Sequence, residues 1–239
     1  MNLLALDTSS DACSVALQTG DDILERHIVE PKEHTNVLIS MIRDLRDEAG
    51  ITLDKLDAIV LGNGPGSFIG MRIAASVAQG LAFGSGLKIL PVSSLAAVAA
   101  EVMDTHSATE VVVAQDARMN EVYLGIYRRD ADGLAASICD ERIQPIERII
   151  ASTDTPTSER YAAGLGWQQY PSLLELNRTA IAKVVDVHYP KAKYLLSLGA
   201  RASQDGELID PENLIPAYIR TKVADKPRGA GQTIDRKTK

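Results

Sequence analysis

The 239-residue chain reads as an α/β protein of two related lobes, each a mixed sheet flanked by helices. Three observations lead there. The first hundred residues give the order βββαβαβ, in which two short turns are followed by helical crossovers. After residue 107 a hydrophobic strand ending in Asp, a short polar loop and an alternating strand recur in the order in which they open the chain. A composition of 45% hydrophobic and 24% charged residues is that of a globular chain able to fill one large core or two modest ones.

The opening strands are expected at Leu3 to Asp7, Cys13 to Gln18 and Ile23 to Val29, with Gly20-Asp21-Asp22 as a turn. Alternation of Cys13, Val15 and Leu17 marks the middle strand as half-buried. Between Glu33 and Ala49 the apolar positions Val37, Leu38, Met41, Ile42 and Leu45 follow helical spacing, and Gly50 is placed to stop the helix. A buried strand (Ala58 to Leu61), a glycine-rich turn (Gly62 to Gly70), a helix (Met71 to Phe83) and a strand (Lys88 to Val92) follow. The small, apolar helix from Ser94 to Met103 is expected to close the first lobe, residues 1–105. The second lobe, residues 106–221, opens with Val111 to Asp116 and Val122 to Tyr127. A short helix at Ile146 to Ala151, a strand-turn at Tyr161 to Gly166 and a helix before Gly199 are expected later, the last helix being able to return to the first lobe. Residues 222–239 hold four Lys and two Arg against two Asp with little apolar content, the composition of a disordered basic tail.

Composition narrows the function. The net charge of −7 disfavours a stand-alone nucleic-acid binder. No apolar run approaches the roughly 18 to 20 residues of a membrane span, and Met1 to Asp7 lacks the basic leader of a signal peptide. Cys13 and Cys139 match no metal-ligand spacing, so a reduced, cytoplasmic setting is expected. His27, His34, His106 and His188 show no i, i+4 pair, which leaves zinc-protease chemistry without local support.

The most distinctive segment is Gly62-Asn63-Gly64-Pro65-Gly66-Ser67-Phe68-Ile69-Gly70. It lacks the Lys-Ser/Thr of a P-loop and the spacing of a dinucleotide fingerprint, so a turn permitting tight helix packing is favoured over a phosphate site. The helix after it has no clear polar face and must be covered on both sides, by its own sheet and by a neighbouring helix or another chain. Asp7, Ser9 and Ser10 sit at a strand end, where α/β proteins bind phosphates or metals, but Asp and Ser also form ordinary turns. Asp116 to Glu121 offers acid, base and amide without a nucleophile, which favours a salt-bridge loop over a catalytic one.

Four segments in this order, Ala5-Leu6-Asp7-Thr8-Ser9, Gly64 to Arg72, Asp116 to Tyr123 and Pro216-Ala217-Tyr218-Ile219-Arg220, resemble the bacterial TsaB (YeaZ) family over about residues 1–220. Ile69 and Met71 stand where that family usually has Thr and Leu. The resemblance implies the actin/sugar kinase/Hsp70 (ASKHA) superfamily fold. It also implies a non-catalytic role in forming threonylcarbamoyladenosine at position 37 of tRNAs that read codons beginning with A. The partners it implies are the transferase TsaD and the ATPase TsaE, with tRNA reached only through the complex and a homodimer when the partner is absent. The catalytic relative's metal-binding histidines correspond to Ser94 and Val98, so no metal and no catalytic residue is expected. No cofactor is required, although a vestigial ATP or ADP site at the joint interface is compatible with Asp7, Ser9, Ser10, Gly64, Gly66 and Ser67. The expected partner surface comprises Leu38, Met41, Ile42, Leu45, Ile69, Arg72, Ile73, Ser76 and Val77. The competing class is a stand-alone ATP-dependent phosphotransferase or metallopeptidase, for which neither a second phosphate loop nor a ligand set is visible.

Overall fold

In the computed structural model, which describes residues 1–30, 33–150 and 160–220, strand β1 (Asn2–Asp7) is buried on both faces and organises the first sheet. It pairs antiparallel with β2 (Ala12–Thr19), Leu3 opposite Gln18, and parallel with β4 (Ala58–Gly62), Leu3 beside Ala58. The outer strands β3 (Asp22–Val29) and β5 (Lys88–Val92) complete the order β3-β2-β1-β4-β5. Helices α1 (His34–Ala49) and α2 (Phe68–Ser85) cover one face. The stripe of His34, Leu38, Met41, Ile42 and Leu45 holds α1 down, and Gly50, in left-handed conformation, donates its N–H to Arg46 and Asp47 carbonyls.

The second sheet repeats the pattern. Strand β6 (Glu110–Asp116) pairs antiparallel with β7 (Glu121–Arg129) and parallel with β10 (Arg160–Ala163). With β8 (Ala135–Ser137) and β11 (Lys183–Val184) the order is β11-β10-β6-β7-β8, and β9 (Arg142–Pro145) also pairs with β7. Each central strand therefore has an antiparallel hairpin partner on one side and a parallel crossover strand on the other, the signature of one plan used twice.

Three expectations are corrected. Helix α2 begins at Phe68 rather than Met71, because the Ser67 side chain caps it by accepting from the Gly70 N–H. Residues 146–150 form a turn, not a helix; Ile146 and Ile150 are spaced four apart because both are anchored in the core, their N–H groups donating to the Asn120 carbonyl and Asn177 Oδ1. Ala151 and residues 222–239 lie outside the described residues. The third correction concerns helix α3 (Ser94–His106), expected on the first lobe, which packs on β6, β7, β8 and β10 instead.

The inner face of the first sheet is covered by α6 (Ala192–Gln204), reached only after the second sheet is complete. Helices α3 and α6 thus form a middle layer between the sheets, tied by a Lys191–Glu101 ion pair and by Tyr194 Oη donating to Asp104 at 3.2 Å. Two short helices, α4 (Gly166–Gln169) and α5 (Pro171–Leu176), cover the far face of the second sheet, giving five layers, α/β/α/β/α.

Gly199, expected to follow a helix, lies inside α6 at its crossing over β4. A Cβ there would stand 2.5 Å from a Val60 methyl. Gly199→Ala is therefore expected to destabilise the chain by roughly 1–3 kcal/mol, the cost of overpacking outweighing alanine's helix propensity. Urea unfolding of the two proteins measures the difference.

Candidate functional site

The C-terminal ends of β1 and β4 meet where the glycine-rich turn folds back over residues 7–9. The Asp7 carboxylate, only 1% exposed, lies against Gly62, where a Cβ would overlap it. Its Oδ1 accepts from the Ser9 N–H and Ser9 hydroxyl, both at 2.8 Å, and its Oδ2 accepts from Ser94 Oγ at 2.5 Å. Ser94 Oγ in turn accepts from the Gly64 N–H at 3.1 Å. Gly66 presses on the Ser9 carbonyl and Gly70 on the Thr8 carbonyl so closely that side chains there would overlap backbone. The Ser67 N–H donates to the Ser9 carbonyl at 2.6 Å, and Thr8 Oγ1 donates to the Gly70 carbonyl at 2.7 Å. The glycines bring helix and strand backbones together.

This geometry divides the residues singled out for a nucleotide. Asp7 is spent on internal hydrogen bonds, and Gly64 is buried beneath Met71, so neither faces a ligand. Ser9, Ser10, Gly66 and Ser67 do line a cleft of about 500 Å³ between the lobes. Burial holds the Asp7 carboxyl above its ordinary value of 3.8, although hydrogen bonds from Ser94 and Ser9 and the nearby His34 pull the other way. Ser94 is committed to Asp7 and Val98 is fully buried among apolar side chains, so neither position offers a metal ligand.

The opposite wall of the cleft comes from the second lobe: Gln115, Asp116, Arg118, Met119, Leu165 and Gln169. Arg118, Met119 and Asn120 follow one another with φ of 64°, 58° and 57°, a conformation that costs Arg and Met energy. Surrounding contacts impose it. Asp116 Oδ1 accepts from the Arg118 N–H at 2.7 Å and from Tyr170 Oη at 2.8 Å, and Asp116 pairs with the Arg118 guanidinium at 3.1 Å. The loop from Asp116 to Glu121 is thus a salt-bridged turn. Gly164, the counterpart of Gly62, presses on the Ala114 carbonyl, and α4 follows at once, leaving no room for a second phosphate loop.

A second concavity lies on the outer surface, between α1 and α2. Ile39, Ile69, Arg72, Ile73, Ser76 and Val77 line this groove of about 380 Å³, with Leu38 at its floor. Of the residues expected to meet a partner, Ile69, Arg72 and Ser76 are exposed and Ile73 and Val77 half-buried. Leu38, Met41, Ile42 and Leu45 are instead buried in the first core, because the apolar stripe of α1 is what fastens it to its own sheet. Large apolar side chains that the sequence reading did not select, Ile39 and Phe83, are 53% and 82% exposed.

A family model described as "TsaD: tRNA N6-adenosine threonylcarbamoyltransferase" matches residues 28–227. The tRNA threonylcarbamoyladenosine biosynthesis protein TsaB of Escherichia coli (strain K12) is 34% identical over 226 residues, spanning 95% of this chain and 97% of that protein. The TsaB protein of Haemophilus influenzae is 35% identical over 234 residues, with 95% and 96% covered. The chain belongs to the TsaB (YeaZ) family. The solved structure of YeaZ from Pseudomonas aeruginosa superposes with a TM-score of 0.84 at 39% identity, covering 91% of this chain and 99% of that one. Membership of a TsaB family built on a TsaD-type domain agrees with the duplicated, ASKHA-like fold. The family's glycine motif here serves as a clamp on Asp7, Thr8 and Ser9. Among the described residues no helix is long and apolar enough to cross a membrane, and no group of three His, Cys, Asp or Glu is placed to hold a metal ion.

Two outcomes follow from the clamp. Gly70→Ala forces a side chain into the Thr8 carbonyl and is expected to cost about 3 kcal/mol or more, read as a lowered urea midpoint. A carboxyl raised by burial contributes stability that is complete below its unfolded value, 3.8, and is lost as pH rises through its native value. Asp7→Asn can still accept from Ser9 and can donate to Ser94. It is expected to flatten this part of the profile, so unfolding free energies of variant and parent should diverge from pH 3.8 upward.

Proposed function

We propose that this chain is a non-catalytic subunit of the machinery that forms threonylcarbamoyladenosine in tRNA, acting in the cytoplasm by docking on the transferase TsaD, with TsaE as a further partner. The observation that carries the reading is the groove between α1 and α2. There Ile39 and Ile69 are 53% and 70% exposed, flanked by half-buried Ile73 and Val77. A contiguous apolar surface on two parallel-running elements is what an apolar helix from another chain covers, and Ser76 and Gly80 on α2 let that helix approach closely. Because a TsaD-type family model matches residues 28–227 of this chain, a TsaD chain would offer helices of the matching kind, and a second copy of this chain would offer the same face for a homodimer when TsaD is absent.

The interior of the cleft supports a subunit without chemistry of its own. The strand-end carboxylate that could hold a hydrated metal is turned inward to Ser9 and Ser94, and the positions to which the family resemblance assigns the catalytic relative's metal ligands hold a committed hydroxyl, Ser94, and a buried valine, Val98. Ser9, Ser10, Gly66 and Ser67 remain on the cleft wall, where ATP or ADP could be held within the assembly without being turned over. tRNA is reached through the complex, since the chain's net charge is −7.

Co-purification with TsaD followed by tRNA threonylcarbamoylation tests the reading. Ile69→Glu or Ile73→Glu places a charge in the contact and is expected to weaken association by about 30-fold or more, equivalent to roughly 2 kcal/mol, while leaving the isolated chain folded. Activity should appear with the intact pair and fall with either variant. Full activity of TsaD alone, or ATP-dependent or metal-dependent turnover by this chain alone, would overturn the proposal.

A further inference from the structure

Beyond α6 the chain does not simply end on the first lobe. Ile209 forms a β-bridge with Ile89, adding to the edge of the first sheet, and Leu214 is buried in the first core. The backbone is then pinned to the glycine turn, with Asn63 Nδ2 donating to the Ile215 carbonyl and the Ala217 N–H to the Asn63 carbonyl, both at 3.1 Å. The Tyr218 ring lies 5.7 Å from that of Phe68, tilted by 45°, and its hydroxyl takes the Arg72 Nε–H at 3.0 Å, while the Arg72 guanidinium lies 3.6 Å over the Phe68 ring.

One residue later the chain is on the other lobe. Ile219 packs on the second core. Arg220 donates to the Ala117 carbonyl at 2.8 Å and pairs with Glu121 at 2.6 Å, and its side chain forms part of the cleft wall. Seven residues, 214–220, thus carry the chain from the core of one lobe to that of the other beside the cleft. At their far end they hold the loop whose backbone is strained at Arg118, Met119 and Asn120.

We propose that residues 214–220 are a clasp that sets the angle between the lobes and so governs access to the interlobe cleft, with Arg72–Tyr218 as its anchor on the first lobe and Arg220–Glu121 as its anchor on the second. Apart from the clasp, the two lobes meet through the Ser94 hydrogen bonds to Asp7 and Gly64, the Arg201–Asp132 ion pair and the α3–α6 contact, a helix pair able to slide or pivot, and the clasp restrains that pivot beside the cleft. The second anchor is charge-assisted and mostly shielded from solvent, which makes it the stronger of the two. The clasp is made of contacts within the chain, and it touches the groove between α1 and α2 at one residue, Arg72.

Pulsed electron spin resonance on the full chain tests it. With Cys139→Ser removing the half-buried thiol, labels at the exposed positions Asn36→Cys and Gln168→Cys report across the lobes. Tyr218→Ala combined with Arg220→Gln is expected to shift the distance distribution to longer values and broaden it. Hydrogen exchange at residues 62–70 and 117–121 should rise about tenfold, with the central strands β1 and β6 unchanged. Should the double variant not fold, Tyr218→Phe and Arg220→Lys each weaken one anchor and should produce the same shift to a smaller degree. Ile215→Ser, an exposed position on the same segment, serves as the control that leaves the distribution in place. Superimposable distributions in folded anchor variants would overturn the clasp and leave residues 214–220 as surface packing.

Discussion

The burial of one carboxyl group fixes much of this architecture. Asp7 ends the central strand of the first sheet and is buried, packed closely against Gly62, so its oxygens must be satisfied by hydrogen-bond donors that the fold supplies. Ser9 provides two of them from the following turn and Ser94 a third from the first turn of α3. Because Ser94 also accepts from Gly64, the same few atoms locate the end of β1, the glycine turn leading to α2, and the start of the helix that covers the second sheet. A small error at Asp7 would therefore be felt in both lobes.

The strand and helix order of the first half was legible because its physics is local. Alternation identified β2, helical spacing identified α1, and Gly50 marked its end. Reading failed where two causes produce one pattern. Apolar residues at 146 and 150 have helical spacing, yet they are two anchors of a turn. The glycines up to Gly70 read as one loop, while the capping hydroxyl of Ser67 starts the helix inside it. The placement of α3 and α6 on opposite sheets is a property of chain topology, and both helices present small apolar faces that suit either sheet.

The site was legible in the same uneven way. Periodicity along α1 finds the residues that hold the helix to its own sheet, and these are poor candidates for a partner because they are already buried. The informative residue was the one off the stripe: Ile39 is apolar on the solvent side, where nothing in the chain's own core requires it. On α2, whose sequence shows no clear polar face, the residues could be named but not divided between sheet, neighbour and solvent. The cleft's second wall could be named as a motif, Asp116 to Glu121, but its three left-handed residues depend on contacts from Tyr170 and Arg220, more than fifty residues away in the chain.

The exchange of covering helices between the lobes bears on how the chain acquires its structure. A first sheet whose inner face is closed by residues 192–204 cannot be finished when its last strand leaves the ribosome at residue 92; it must wait, with that face open, for a further hundred residues of synthesis. Contacts so distant in sequence slow folding and lengthen the life of aggregation-prone intermediates. Neither half is then a unit that can be cut free: each carries the lid of the other, and the two lobes become stable together or not at all.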